Sequence, residues 1–122
     1  MPLEENTVKY LGAQLAQGLK YLWENRVVHR DIKPQNLLLT GGTNSILKIA
    51  DFGFAGPVEG RDGQGYLHTK LGTLNYMAPE ILLETGYTAD CDWWSLGVVL
   101  YQLIAGQMPF DGDTQEELFH KI

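Results

Sequence analysis

The chain has 122 residues, enough for one domain or part of one, and its 44% hydrophobic share is ordinary for a soluble globular protein. Fifteen acidic against nine basic side chains give a net charge of −6, and the basic residues form no block, which argues against nucleic acid or an anionic membrane surface as a partner. The single cysteine, Cys91, excludes an internal disulfide framework and suits a reducing, cytoplasmic compartment. The longest apolar stretch, 93–105, is interrupted by Ser95 and Gln102 and is too short to span a bilayer. Residues 1–6 are acidic where a signal peptide would be basic.

After Pro2-Leu3-Glu4-Glu5, the residues Val8, Leu11, Leu15, Leu19 and Leu22 recur at helical spacing and predict an amphipathic helix to about Glu24, with Asn25 as a left-handed stop. Gly12 and Gly18 each cost such a helix about 1 kcal/mol relative to alanine, so packing rather than propensity must hold it. Trp23 is expected to fill the core. Val27-Val28 and Leu37-Leu38-Leu39 read as short strands, and 47–50 as a third, joined to the second by turn-forming residues at 40–45.

Between the first two strands lies His29-Arg30-Asp31-Ile32-Lys33-Pro34-Gln35-Asn36. A carboxylate at Asp31 can accept a proton from an attacking hydroxyl, Lys33 can neutralise charge on a phosphoryl group, and Asn36 offers an amide oxygen to a hard cation. Asp51-Phe52-Gly53 follows the third strand, so the hairpin brings a second acid back toward Asn36. Singly, either stretch reads as a solvated charge run or a turn with an aromatic anchor; together they divide the labour of phosphoryl transfer.

Residues 54–76 are long, glycine-rich and without apolar period. Residues 90–105 are apolar nearly all round, with Gly106 behind them and Pro109 beyond, and predict a buried helix with Cys91 packed at its start. Thr114-Gln115-Glu116-Glu117 is a capping-box pattern that starts a last helix.

The order and spacing of His29-Arg30-Asp31, Asp51-Phe52-Gly53, Ala78-Pro79-Glu80 and Asp92-Trp93-Trp94-Ser95-Leu96-Gly97 resemble the eukaryotic protein kinases of the serine/threonine type. The resemblance spans essentially the whole chain. It implies a mainly α fold with short β hairpin strands, the core of the C-terminal large lobe, incomplete: a partial kinase domain over 1–122 with the small lobe absent. The implied activity is transfer of the terminal phosphate of ATP to Ser or Thr of protein substrates, with ATP and Mg2+ as cofactors, by a fragment inactive alone; the alternative is a non-catalytic kinase-like scaffold or binding module.

Residue by residue, the resemblance makes Asp31, Lys33 and Thr73 catalytic. It assigns Lys33, Asn36, Leu38 and Asp51 to ATP, with Asn36 and Asp51 on the metal. Arg30 and Thr69 become regulatory, a phosphate on the activation loop at Thr69 being received by Arg30. His29, Phe52, Gly53, Glu80 and Asp92 become structural. His29 and Phe52 correspond to members of a stacked spine, and Asp92 to a buried acid that bonds the backbone of the catalytic loop. Residues 34–39, 48–55 and 76–81 look like the autophagy-initiating kinases, whereas Asp92-Trp93-Trp94 and 106–110 look like the protein kinase A and C group. Amides at Gln35 and Gln102, where arginine-directed relatives carry glutamates, imply little selection of arginine before the acceptor.

Overall fold

A computed structural model describes residues 3–41, 45–57, 73–82, 88–112 and 114–122. Helix α1, Glu5–Glu24, buries Val8, Leu11, Leu15 and Leu19 along one stripe, as their period predicts. Its glycines lie where neighbours come closest: a Cβ at Gly12 would stand 2.9 Å from Leu100 Cδ2, and one at Gly18 2.9 Å from Ile49 Cδ1. The propensity lost at both positions is exchanged for close packing.

Two expectations for this helix are corrected. Asn25 ends it with φ −94°, its N–H donating to the carbonyls of Tyr21 and Leu22, and the left-handed residue is the next one, Arg26, at φ 58°. Trp23 is 53% exposed rather than core, because it belongs to the flanking stripe with Ala16 and Lys20. That stripe faces an open groove beside Asp90 and Trp93.

Strand β1 is Val27–Val28, β2 is Leu37–Leu39 and β3 is Leu47–Ile49. β2 and β3 pair antiparallel, Leu38 opposite Lys48, as the turn residues between them predict. The carbonyl and amide ends of Gln14 clamp the hairpin onto α1, Nε2 donating to Ser45 O at 3.1 Å and Oε1 accepting from Leu47 N at 2.9 Å. β1 pairs antiparallel with β4, Gly56–Pro57, Val28 standing opposite Gly56. No pattern in the sequence announces this second pair.

A single 3₁₀ turn over Leu74–Tyr76 leads to α2, Pro79–Leu82, and then to α3, Asp90–Ala105. Gly106 at φ 76° closes α3 with its N–H on Gln102 O, the left-handed end that glycine accepts without strain. α3 is not buried all round: Cys91, Leu96, Val98 and Val99 are buried, while Trp93, Tyr101 and Ile104 are exposed. α4, Gln115–Lys121, starts as its capping pattern predicts, with Thr114 Oγ1 accepting from Glu117 N at 3.2 Å.

Among the described residues, two apolar clusters carry the packing. One joins Leu15 and Leu19 of α1 to Ile32, Tyr76 and Val99; the other joins Val28 to Met77, Ile81, Leu82, Cys91 and Leu118. Trp94 packs against both and stacks on Phe110 with ring centres 6.1 Å apart. Each fully buried aliphatic side chain here contributes about 1.5–3 kcal/mol. Between α1, α3 and the hairpin an apolar cavity of about 130 Å³ is lined by Leu11, Leu37, Leu47, Leu100 and Leu103 among others, away from the acidic residues discussed next. Among the described residues no helix is long and apolar enough to cross a membrane.

Candidate active site

The segment after β1 is anchored from below by Asp92, in the first turn of α3. One carboxylate oxygen accepts from His29 N at 2.7 Å and the other from Arg30 N at 3.0 Å. Burial pushes the Asp92 carboxyl above its ordinary range, and the two backbone N–H groups oppose that rise because they favour the anion. The grip holds Arg30 at φ 75°, a left-handed conformation that costs a residue with a Cβ about 1–3 kcal/mol. The bend turns the next residue, Asp31, upward into the site.

His29 is fully buried and bonded through both ring nitrogens. Nε2 lies 2.8 Å from the Ala50 carbonyl, which can only accept, so Nε2 carries the proton; Nδ1 then accepts from Asp31 N at 3.1 Å. The neutral ring satisfies both contacts and leaves no nitrogen for proton transfer. Phe52 meets this ring edge-on, with centres 4.9 Å apart and planes at 66°.

The Asp31 carboxylate is 8% exposed and held from two sides. Oδ1 accepts from the Thr73 hydroxyl at 3.0 Å, and Oδ2 accepts from Asn36 Nδ2 at 3.1 Å, with Lys33 Nζ 3.7 Å away. Lys33 Nζ donates to Thr73 Oγ1 at 2.9 Å, so acid, cation and hydroxyl form one closed network. Asn36 Nδ2 also donates to the Asp31 carbonyl at 2.8 Å. A carboxylate has about four lone-pair positions, so these bonds leave room on Asp31 for one more hydroxyl.

Both protons of the Asn36 amide are therefore committed, and its oxygen is left as an acceptor. Separately, the Asn36 backbone carbonyl receives the N–H of Ala50 at 2.8 Å, which ties the residue just before Asp51 to Asn36. Asp51 is exposed and left-handed at φ 56°, with Oδ1 accepting from Gly53 N at 3.2 Å in a local turn. The amide oxygen and this carboxylate are hard donors of the kind Mg2+ takes. Among the described residues no three His, Cys, Asp or Glu side chains group as a metal site. An ion here would draw most of its ligands from phosphates and water, which is the usual habit of Mg2+.

Of the remaining sequence-derived site residues, Leu38 is 55% exposed on the hairpin. Arg30 Nε donates to Phe54 O at 2.7 Å, and a Cβ at Gly56 would run into the guanidinium. Glu80 lies half-buried in the first turn of α2. Gln35 is exposed, whereas Gln102 is engaged, its oxygen accepting from the Tyr76 hydroxyl at 2.7 Å. Thr69 lies outside the described residues. Sequence reasoning did not find Tyr76 or Ser95, whose hydroxyl donates to Tyr76 O at 2.7 Å; the available signal was Ser95 interrupting the apolar run of α3.

Residues 1–122 match the family model described as protein kinase domain. The chain is 47% identical over 119 residues to the serine/threonine-protein kinase ATG1b of Arabidopsis thaliana, covering 97% of this chain and 16% of that protein. It is 41% identical over 120 residues to the SNF1-related protein kinase catalytic subunit alpha KIN12 of the same plant, covering 98% of this chain and 23% of the relative. Against the serine/threonine-protein kinase N2 of Danio rerio it is 40% identical over 116 residues, 93% of this chain and 11% of the relative. The chain thus spans between about a tenth and a quarter of the length of these three proteins.

Proposed function

The chain belongs to the protein kinase family, of the eukaryotic serine/threonine type, and from that premise we propose that the protein containing it transfers the terminal phosphoryl group of ATP to serine or threonine hydroxyls of other proteins. The described elements are then the core of the large lobe, and the opposing small lobe is what the exposed hairpin face at Leu38 and Phe52 meets. The observation that carries the reading is the network on Asp31: a carboxylate with one acceptor position to spare, fixed by Thr73 and Asn36, with an ammonium beside it.

Asp31 orients the acceptor hydroxyl and takes its proton as the new oxygen–phosphorus bond forms and the bond to the departing diphosphate breaks. Lys33 sits where it can offset negative charge on the moving phosphoryl oxygens while its bond to Thr73 keeps it in line. Asn36 and Asp51 would hold Mg2+, which when bound neutralises the phosphates of ATP. Leu38 would lie against the adenine. A scaffold would gain nothing from joining a carboxylate, an ammonium, an amide and a hydroxyl in one network that leaves an acceptor position open.

The test is turnover by the full-length protein carrying Asp31→Asn, which keeps the size of the side chain but removes the base. The expected loss in kcat is about 10²–10⁴-fold, the usual contribution of a positioned base, with ATP binding retained. Turnover equal to the parent's would remove Asp31 from its role.

A further inference from the structure

Helix α3 is apolar over most of its length, yet three of its polar side chains bond to the segments that carry the Asp31 network. Asp92 holds the backbone of His29 and Arg30, while Ser95 and Gln102 both bond to one residue, Tyr76. We propose that Ser95 and Gln102 are positioning residues that seat the Thr73 hydroxyl on Asp31 by gripping Tyr76 at its two ends. The inference rests on the kinase reading above.

The coupling runs through short bonds. Tyr76 N donates to Thr73 O at 2.9 Å and closes the 3₁₀ turn, so wherever Tyr76 is held, Thr73 is held three residues earlier. The Tyr76 carbonyl accepts from Ser95 Oγ at 2.7 Å, and its hydroxyl donates to Gln102 Oε1 at 2.7 Å. One bond fixes a point; bonds at the backbone and at the ring tip also fix the direction of the residue between them. Thr73 then meets Asp31 at 3.0 Å and Lys33 at 2.9 Å.

Ser95 has a single hydroxyl proton and two carbonyls near it, Tyr76 O at 2.7 Å and Cys91 O at 3.2 Å. The shorter contact takes the proton, and Cys91 O is the ordinary fallback for a serine inside a helix. The choice of Tyr76 over that local partner marks the bond as one that serves the segment rather than α3. Tyr76 is 7% exposed, and its burial pushes the phenol above its ordinary range, which keeps the hydroxyl protonated and able to donate to Gln102. Another side-chain bond of this turn, Asn75 Nδ2 to Asp111 Oδ1 at 3.2 Å, is exposed and correspondingly weaker.

The experiment uses the full-length protein in a double-mutant cycle. Ser95→Ala lowers kcat by about 5–50-fold with the KM for ATP unchanged, and in a Thr73→Ala background the same substitution changes kcat by less than about twofold, because the path it acts through is already gone. Gln102→Leu behaves like Ser95→Ala, whereas Gln102→Glu, which keeps an acceptor for the Tyr76 hydroxyl, stays within about threefold of the parent. Equal losses from Ser95→Ala in both backgrounds, or no loss in either, would overturn the proposal and leave Ser95 a packing residue. If the full-length protein transfers no phosphate, the kinase reading fails by itself, and amide hydrogen exchange decides this one. Protection at Tyr76 and Met77 falls about tenfold in Ser95→Ala if the grip exists and is unchanged if it does not.

Discussion

The two carboxylates proposed to serve phosphoryl transfer are held in opposite ways. Asp31 is nearly closed off from solvent and bonded through both oxygens to side chains from two separate segments. Asp51 is exposed, and among the described residues its side-chain hydrogen bond is the local one from Gly53 N. The first arrangement suits a group that must keep one orientation in a site of low dielectric, where hydrogen bonds are strong. The second suits a group that must remain open to a hydrated cation. On the proposed reading, the half of the site that would handle the proton is already bonded together by residues of this chain, and the half that would face phosphate and metal is left for ligands to complete.

Removing Asp51 is the severest way to probe this contrast. Asp51→Ala in the full-length protein is expected to lower kcat by about 10³-fold through loss of a metal ligand. Far-ultraviolet circular dichroism and melting temperature should stay close to the parent's, since the side chain makes only a local turn bond. A large fall in melting temperature would show that Asp51 is structural.

Asp92→Ala tests the other half, with a smaller loss of activity but a larger loss of stability. It strands the N–H groups of His29 and Arg30 and frees the left-handed bend, which should cost about 3 kcal/mol in denaturant unfolding. An unchanged midpoint would mean that the bend is held elsewhere.

The smallest effect is one of pH. Because burial raises the Asp92 pKa in the folded protein above its ordinary 3.8, the native state keeps that proton at pH values where the unfolded chain has lost it. The contribution of the group is therefore greatest below 3.8 and is lost as pH rises through the folded value. Unfolding free energy of the parent minus that of Asp92→Asn should decline across that window and then level off. A difference that rises with pH would show that the two backbone bonds outweigh burial.

The buried half was partly legible in the sequence because its residues are close in the chain. The spacing from His29 to Asn36 and the hairpin residues at 40–45 lead directly to the approach of Asn36 and Asp51. α1 and α4 were legible for local reasons too, a 3.6-residue stripe in one and a threonine cap in the other. What was not legible depends on distant partners. The β1–β4 pair joins two residues to two others almost thirty positions on, too short for any alternation to show. Trp23 was misplaced because its composition suits a core while its stripe borders an open groove. The left-handed bend at Arg30 leaves no mark in residue type, since arginine gives no hint of positive φ; only the acid 62 residues later explains it. Ser95 and Gln102 did leave a trace, as polar breaks in an apolar run, but the partner of each is a tyrosine that chain order does not indicate.

The claim that the proton-handling half is preformed and the metal-facing half is not is tested most directly by amide hydrogen exchange of the full-length protein, with and without ATP and Mg2+. Amides at Asp31 and Asn36 and at Tyr76 and Met77 should be protected before nucleotide is added and change little on binding, whereas those at 52–55 should gain protection. Free exchange at Asp31 and Asn36 until nucleotide arrives would contradict it, and would mean that the ligand assembles the catalytic carboxylate's network rather than finding it in place.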